Sequence, residues 1–198
     1  MDWPLEILRP GVELLITGVG KVNAAAAIAH RADPSRHGLV VNLGICGALK
    51  PLSELALRSV VLASTSVYAD EGVATPSGFQ SLPEMGFPLG PFAGPGVDGD
   101  PALLDILRPL AQAIGPIATV STCSGTDALA REVAGRTGAI AEGMEGAALA
   151  HTLARLHPEI PFAELRVVSN STGDRPGQQW DLRGSLARLT GLVDEMLT

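Results

Sequence analysis

Little in this chain invites a metal, a membrane or a nucleic acid. Its 198 residues include only two cysteines, Cys46 and Cys123, which have neither metal-ligand spacing nor a histidine beside them. Neither a zinc site nor a disulfide framework is therefore expected. The four histidines, His30, His37, His151 and His157, form no HExxH or similar cluster, so no metal site is predicted. No apolar run approaches a membrane span. The opening MDWPLEILRP is neither basic nor continuously apolar, unlike a signal peptide. Basic runs are missing as well. The formal net charge of −7 disfavours nucleic acid and anionic membranes as partners. A reduced, cytoplasmic protein that uses no cofactor is the expectation. Aromatic residues are 4% of a chain that is 46% hydrophobic, so its core must be built from Ala, Leu, Val and Ile.

What the sequence does have is alternation. Val12–Thr17 is apolar and leads through Gly18–Gly20 into the helix-forming KVNAAAAIAHRA. A second apolar run, GLVVNLG, starts at Gly38, and a longer β-branched run extends from Leu57 to Tyr68. Ala102–Ala113 reads as a helix capped by Asp100, with Pro101 in its first position. PIATVST is another strand, and Asp127–Ala134 a short helix. GAIAEGMEGAALAHTLARLH gives a strand, a turn and a helix that Pro158 ends. Phe162–Ser169 is the last strand and Leu182–Leu197 the last helix. Such a succession predicts an α/β fold, a three-layer αβα sandwich around a mixed, mostly parallel sheet, in a single domain spanning residues 1–198. Only Asp70–Gly99 breaks the rhythm. Its dense Gly and Pro show no periodicity, while Phe79, Phe87 and Phe92 argue for a lid or a subunit contact.

Ligands in such sheets bind beyond the carboxyl ends of the strands. That rule gathers the loops at 18–21, 44–48, 122–126, 143–145 and 169–175 on one rim. TGVGK is not a Walker A loop, because Val22 follows Lys21. It is not GxGxxG either, because Asn23 stands at the third glycine. A tight turn explains it, although a helix N-terminus there can also meet an anion or a hydroxyl. Gly44 and Gly47 permit a close backbone approach to a ligand, or simply a turn. Cys46 reads as a small filler, with a nucleophilic role left open by the chance of a distant histidine. Two carboxylates, Glu142 and Glu145, flank Met144. Glu145 opens a helix, so capping alone would account for it; at the pocket rim it can instead accept hydrogen bonds from a vicinal diol. The stretch ELRVVSNSTGDR ends a buried strand in Asn170. That amide is either a turn residue or a donor to N7 or O6 of a 6-oxopurine, where it would stabilise a departing base more than the bound substrate.

TGVGKVNAA, VVNLGICGAL, EGMEGAALAH and ELRVVSNSTGDR, in this order, resemble the nucleoside phosphorylase and nucleosidase superfamily along almost the whole chain. Within it the similarity is greatest to the branch that releases hypoxanthine from futalosine in an alternative menaquinone pathway. YADEGVATPSGFQSLPEMGFPL, STCSGT and Asn170 in place of the Asp usual in methylthioadenosine nucleosidases carry that likeness. The resemblance implies a purine nucleoside hydrolase that binds a small-molecule nucleoside and assembles as a homo-oligomer. It makes Asn170 the catalytic, base-polarising group, Glu145 the ribose diol acceptor and Met144 the surface under the sugar. Ile45, Cys46 and Gly47 would line the ribose and the attacking water. Ser124, Gly125 and Thr126 would wall the base. Arg175 would either pair with a substrate carboxylate or pin its loop through Asp174. The family's first strand, whose end carries a water-activating acid, has no counterpart in the sequence, and Glu6 and Glu13 lie too near the next strand to replace it. A methylthioadenosine-type nucleosidase and a catalytically silent nucleoside-binding relative stand as the alternatives.

Overall fold

The computed structural model describes residues 5–49 and 54–198. A short antiparallel hairpin opens it, β1 (Leu5–Arg9) and β2 (Val12–Leu15), turning at Gly11 with a positive φ. The sequence reading had one apolar run here and no partner for it. Helix α1 (Lys21–Arg31) follows, then strands β3 (Val40–Ala48) and β4 (Val60–Tyr68). The segment read as structureless holds a hairpin, β5 (Gly72–Thr75) with β6 (Gly78–Ser81), and a strand β7 (Gly96–Asp98). It is held down as well: Phe92 meets His151 edge-on, and the Arg136 guanidinium lies over the Phe79 ring. The chain continues through α2 (Pro101–Leu107), β8 (Ala113–Thr119), α3 (Asp127–Thr137) and β9 (Ala141–Gly143). It ends with α4 (Gly146–Leu156), β10 (Phe162–Ser171) and α5 (Leu182–Met196). The expected cap of α2 is in place: the Asp100 carboxylate accepts from the Leu103 amide, and Pro101 occupies the first turn, where its missing N–H costs nothing.

The architecture is α/β around a mixed sheet whose longer ladders, β10–β3 and β4–β8, are parallel. Strand order is β10-β3-β9-β8-β4-β7, and β10 also pairs antiparallel with β4. That extra pairing closes five strands into a ring, a feature that local periodicity does not encode. Strand β10 makes it possible by using both edges, with Arg166 opposite Gly44 of β3 and Val61 of β4. Cys46, Ala48, Val61, Ala63, Ile117, Ala141 and Val168 come from all five strands and pack as one cluster. Outside it, α2 and α5 cover Val60, Leu165 and Val167. Helices α1 and α4 pack with Phe162, and α3 packs against Ala118. The small residues foreseen for the core let strands and helices approach closely enough to do this.

One edge is left open. Val40–Cys46 pair only with β10, and β2 pairs only with β1, among the described residues. Between β2 and β3 lies a trench of about 920 Å³ lined by Leu14, Leu15, Val41, Leu43, Leu107 and Met196, among others.

Candidate functional site

Most of the expected residues come together around a charge network that the sequence reading missed, but not on one rim of loops: residues 44–48 and 169–171 lie within β3 and β10, and β9 runs antiparallel to β3 beside them. Glu164, Arg166 and Val168 share one face of β10, because side chains alternate along a strand. Arg166 is 3% exposed and Glu164 is fully buried. The Arg166 Nε donates to Glu164 at 2.7 Å, and its Nη1 donates to Glu145 Oε2 at 2.9 Å and to the Ile45 carbonyl at 3.3 Å. Glu164 is further held by the Asn42 amide at 3.2 Å and the Ser66 hydroxyl. Burial works against the Arg166 charge, yet the Glu164 and Glu145 carboxylates outweigh it and hold the guanidinium above its ordinary value. The network fits only because its neighbours lack side chains. A Cβ on Gly44 would strike the Arg166 guanidinium, and one on Gly146 would strike the Glu164 carboxylate. A signal was present: opposite charges two residues apart in an apolar strand lie on one face and must meet inside.

Glu145 stands at the N-cap position of α4, but its side chain makes no capping bond. Capping alone therefore does not explain it. Its Oε1 accepts from the Gly20 amide at 2.9 Å, and its Oε2 accepts from Arg166 and, at 3.3 Å, from the Met144 amide. The glycine-rich turn before α1 thus meets an anion, as a helix N-terminus can, and that anion belongs to the protein. Gly20 adopts φ +95°, which favours glycine. Lys21 forms ion pairs with Asp70 and Glu71, and its Nζ lies 5.3 Å from the centre of the Tyr68 ring.

Asn170 follows a bulge in β10 and is 9% exposed. Its Nδ2 donates to the Ser171 carbonyl at 3.0 Å, and its Oδ1 accepts from the Ser169 hydroxyl at 3.0 Å. Because a carbonyl can only accept, Ser171 decides which end of the amide is the NH₂. One Nδ2 proton is left over. Gly47 is the facing residue of β3, and a Cβ there would come within 3.1 Å of Asn170 Nδ2 and 3.0 Å of Thr172. Beside them, Glu142 accepts from the Ser124 amide at 2.8 Å and hydroxyl at 2.6 Å. Burial raises the Glu142 carboxyl above its usual range, opposed by those Ser124 bonds.

The remaining expectations divide. Met144 is half-buried and packs on the α3 cluster. Burial pushes the Cys46 thiol up to about 12, which removes it as a nucleophile near neutrality. Thr126 serves as the N-cap of α3 through the Leu129 amide, so its hydroxyl is engaged there. The Gly125 carbonyl accepts from the Arg175 amide. Arg175 does not pin its loop through Asp174, whose carboxylate accepts from the Asp127 amide instead. Its guanidinium lies 4.6 Å over the Trp180 ring and donates to Gln178 at 3.0 Å. Glu13 is paired with Arg36 and His37, while the Glu6 side chain lies outside the described residues. No group of three or more His, Cys, Asp or Glu could hold a metal ion among the described residues, and no described helix is long and apolar enough to cross a membrane.

Strands closing around small residues, with a carboxylate, an amide and a buried arginine at one rim, define a class. The family model of the phosphorylase superfamily matches residues 8–198, and the chain belongs to that family. Its relatives narrow the class further. It is 35% identical to the futalosine hydrolase of Streptomyces coelicolor, over 96% of this chain and 84% of the relative. It is 36% identical to that of Acidothermus cellulolyticus, over 89% of this chain and 71% of the relative. Among solved structures, the 5′-methylthioadenosine/S-adenosylhomocysteine nucleosidase of Neisseria meningitidis, in complex with methylthio-immucillin-A, superposes with a TM-score of 0.74 at 23% identity. That match covers 93% of this chain and 80% of the other. The S-adenosylhomocysteine nucleosidase of Streptococcus pyogenes gives 0.70 at 23% identity, covering 93% and 78%. These structures share the fold.

Proposed function

We propose that the protein hydrolyses the N-glycosidic bond of a 6-oxopurine nucleoside, futalosine, releasing hypoxanthine. The observation that carries this reading is the fixed Asn170 amide with one unspent N–H. A 6-oxopurine presents acceptors at N7 and O6, and a donor aimed there grows more valuable as the bond breaks and the base gains electrons. An adenine leaving group needs a proton at the same place, which an amide cannot supply. The identity of about 35% to futalosine hydrolases supports the same substrate.

In this reading the C1′–N9 bond breaks first and its electron pair goes to the purine. Glu145 accepts a ribose hydroxyl at Oε1, which retains accepting capacity beyond the Gly20 bond, whereas both lone pairs of Oε2 are taken by Met144 and Arg166. Its negative charge favours the positive charge that builds on the sugar. Arg166 Nη2 is buried without a partner among the described residues, on the guanidinium whose Nη1 holds Glu145 and the Ile45 carbonyl, and it becomes a donor for the attacking water once the site opens enough to admit one. Water then delivers hydroxide to C1′, and its proton ends on the base. Val19 and Val22, 71% and 81% exposed at the start of α1, offer the apolar face of a homo-oligomer. In phosphate-free buffer, hypoxanthine should be released from futalosine, with much less base from methylthioadenosine. Asn170→Ala should lower kcat far more than it raises KM, and Asn170→Asp should erode the preference for 6-oxopurines. Equal effects on kcat and KM, or unchanged selectivity in Asn170→Asp, would leave Asn170 as a wall of the pocket and refute the assignment.

A further inference from the structure

Beside the base-polarising residue stands a feature that the hydrolytic chemistry does not use. Trp180 pairs with Asn170 through an isolated β-bridge, so its backbone lies beside that of Asn170, and it is 47% exposed. The Arg175 guanidinium covers one face of that ring at 4.6 Å. Both groups are held by one side chain: Gln178 Oε1 accepts from Arg175 Nη1 and from Trp180 Nε1, each at 3.0 Å. The Gln178 amide nitrogen is itself anchored, donating to Ser124 O at 3.1 Å and Gly173 O at 2.8 Å. The stack is therefore tied to the same Ser124 that faces Glu142, and it is organised in advance of any ligand.

A surface Arg–Trp pair kept only for stability would bring little, about 0.5–1 kcal/mol, and needs no third residue to aim it. No carboxylate forms an ion pair with Arg175 among the described residues. Only one of the five guanidinium N–H groups is spent on a side chain, so a two-pronged approach to a carboxylate stays open. A flat ring with a planar cation stacked on it, tethered through Gln178 to Ser124 and through the Trp180 bridge to Asn170, matches a ligand that carries an aromatic ring and a carboxylate together.

We propose that Arg175 and Trp180 form the receptor for a carboxylated aryl arm on the nucleoside, such as the benzoate of futalosine, and so select this substrate over nucleosides without that arm. The proposal rests on reading the pocket as a purine nucleoside site. Asn170 then recognises the base, and the Arg175–Trp180 stack recognises the arm.

The test compares futalosine, its methyl ester and inosine with the wild type and Arg175→Gln. The wild type should favour futalosine over its ester by about tenfold in kcat/KM, the size of one partly exposed charge-assisted bond, through KM rather than kcat. That preference should shrink as salt is raised. Arg175→Gln should abolish both the preference and its salt dependence, and Trp180→Leu should narrow the gap between ester and inosine. A preference for the acid that survives in Arg175→Gln would overturn the proposal. So would a variant that weakens all three substrates alike. Binding keeps this separate from the hydrolytic reading. In a Trp3→Phe background, Trp180 is the one remaining tryptophan of the two in the chain. Its emission should respond to uncleaved futalosine at lower concentration than to the ester. If no base is released but this difference appears, the hydrolase reading fails and the arm receptor stands. If futalosine is cleaved with no such difference, the reverse holds.

Discussion

Arg166→Met removes the centre of the charge network while keeping a long apolar side chain, and its cost can be worked from the surroundings. Glu145 loses one donor, but keeps the Gly20 and Met144 amides and has a side chain that is 14% exposed. Glu164 fares worse. It is fully buried, and among the described residues only the Asn42 amide and the Ser66 hydroxyl remain to offset its charge. Breaking a buried pair by removing one partner costs about 3–5 kcal/mol, a large part of the roughly 5–15 kcal/mol that holds a typical domain folded. For a chain of this size, that is a fall in Tm of roughly 6–20 °C. Urea titration and calorimetry of Arg166→Met, Glu164→Gln and the double variant measure it. The double variant should recover much of the loss, because it no longer buries an unpaired carboxylate, and the coupling energy should exceed about 1 kcal/mol. In the proposed hydrolytic reading catalysis should not recover with stability, since Glu145 still lacks its guanidinium. A double variant as unstable as Arg166→Met would show that the cost comes from packing, and the account of the pair would be wrong.

Two further predictions follow from named groups. Burial raises the Glu142 carboxyl, so the folded protein keeps that proton to higher pH than the unfolded chain does. The stability it contributes is present below about pH 4.5 and is lost as pH rises through the raised native value. Against Glu142→Gln, which cannot ionise, the wild type should therefore lose Tm progressively over that interval; a difference independent of pH would contradict the raised value. Among the described residues, the trench between β2 and β3 offers an unpaired strand edge on each side. Placing an apolar strand of about five residues, ending in Glu, upstream of the hairpin should raise both Tm and turnover if that strand fills the trench. No change in either, with the strand's amides unprotected in hydrogen exchange, would show that the trench is not a strand site.

Legibility in the sequence followed the range of the interactions. The start of helix α2 and its Asp100 cap were readable because a cap and a proline act within one turn, but the helix ends at Leu107, short of the expected Ala113, which opens β8. The rim loops were readable only in part: 122–126 and 172–175 lie between elements, but the runs expected to stop at Gly44 and Ser169 continue as strand to Ala48 and Ser171. The β5–β6 hairpin was not, since its Gly72 and Gly78 obscured an alternation only four residues long on each side. Ring closure was beyond reach for another reason: β10 pairs with β3 and β4, strands more than a hundred residues upstream, and nothing local states that both its edges are used. Among the site residues, Glu145 and Asn170 drew attention because polar residues at strand and helix ends are conspicuous. Glu164 and Arg166 escaped it because the strand around them reads as core, and a charge in a core strand signals only when its partner two residues away is considered with it.

The same network bears on which nucleophile the site can use. Phosphate would bring multiple negative charge to a rim that already holds Glu142 and Glu145, and would need cations free to meet it. Lys21 is committed to Asp70 and Glu71, and Arg166 to Glu164 and Glu145. Drawing either away would leave carboxylates unpaired, in the second case a fully buried one, at a cost of several kcal/mol. Water asks for no such exchange. It needs one donor to orient it, which Arg166 Nη2 can supply without giving up its existing bonds. Orthophosphate in the millimolar range should therefore leave the rate of hypoxanthine release unchanged, with free sugar as the co-product. Acceleration by phosphate together with a sugar 1-phosphate product would mean that one of these ion pairs opens on binding, and that the rim is less committed than its bonds imply.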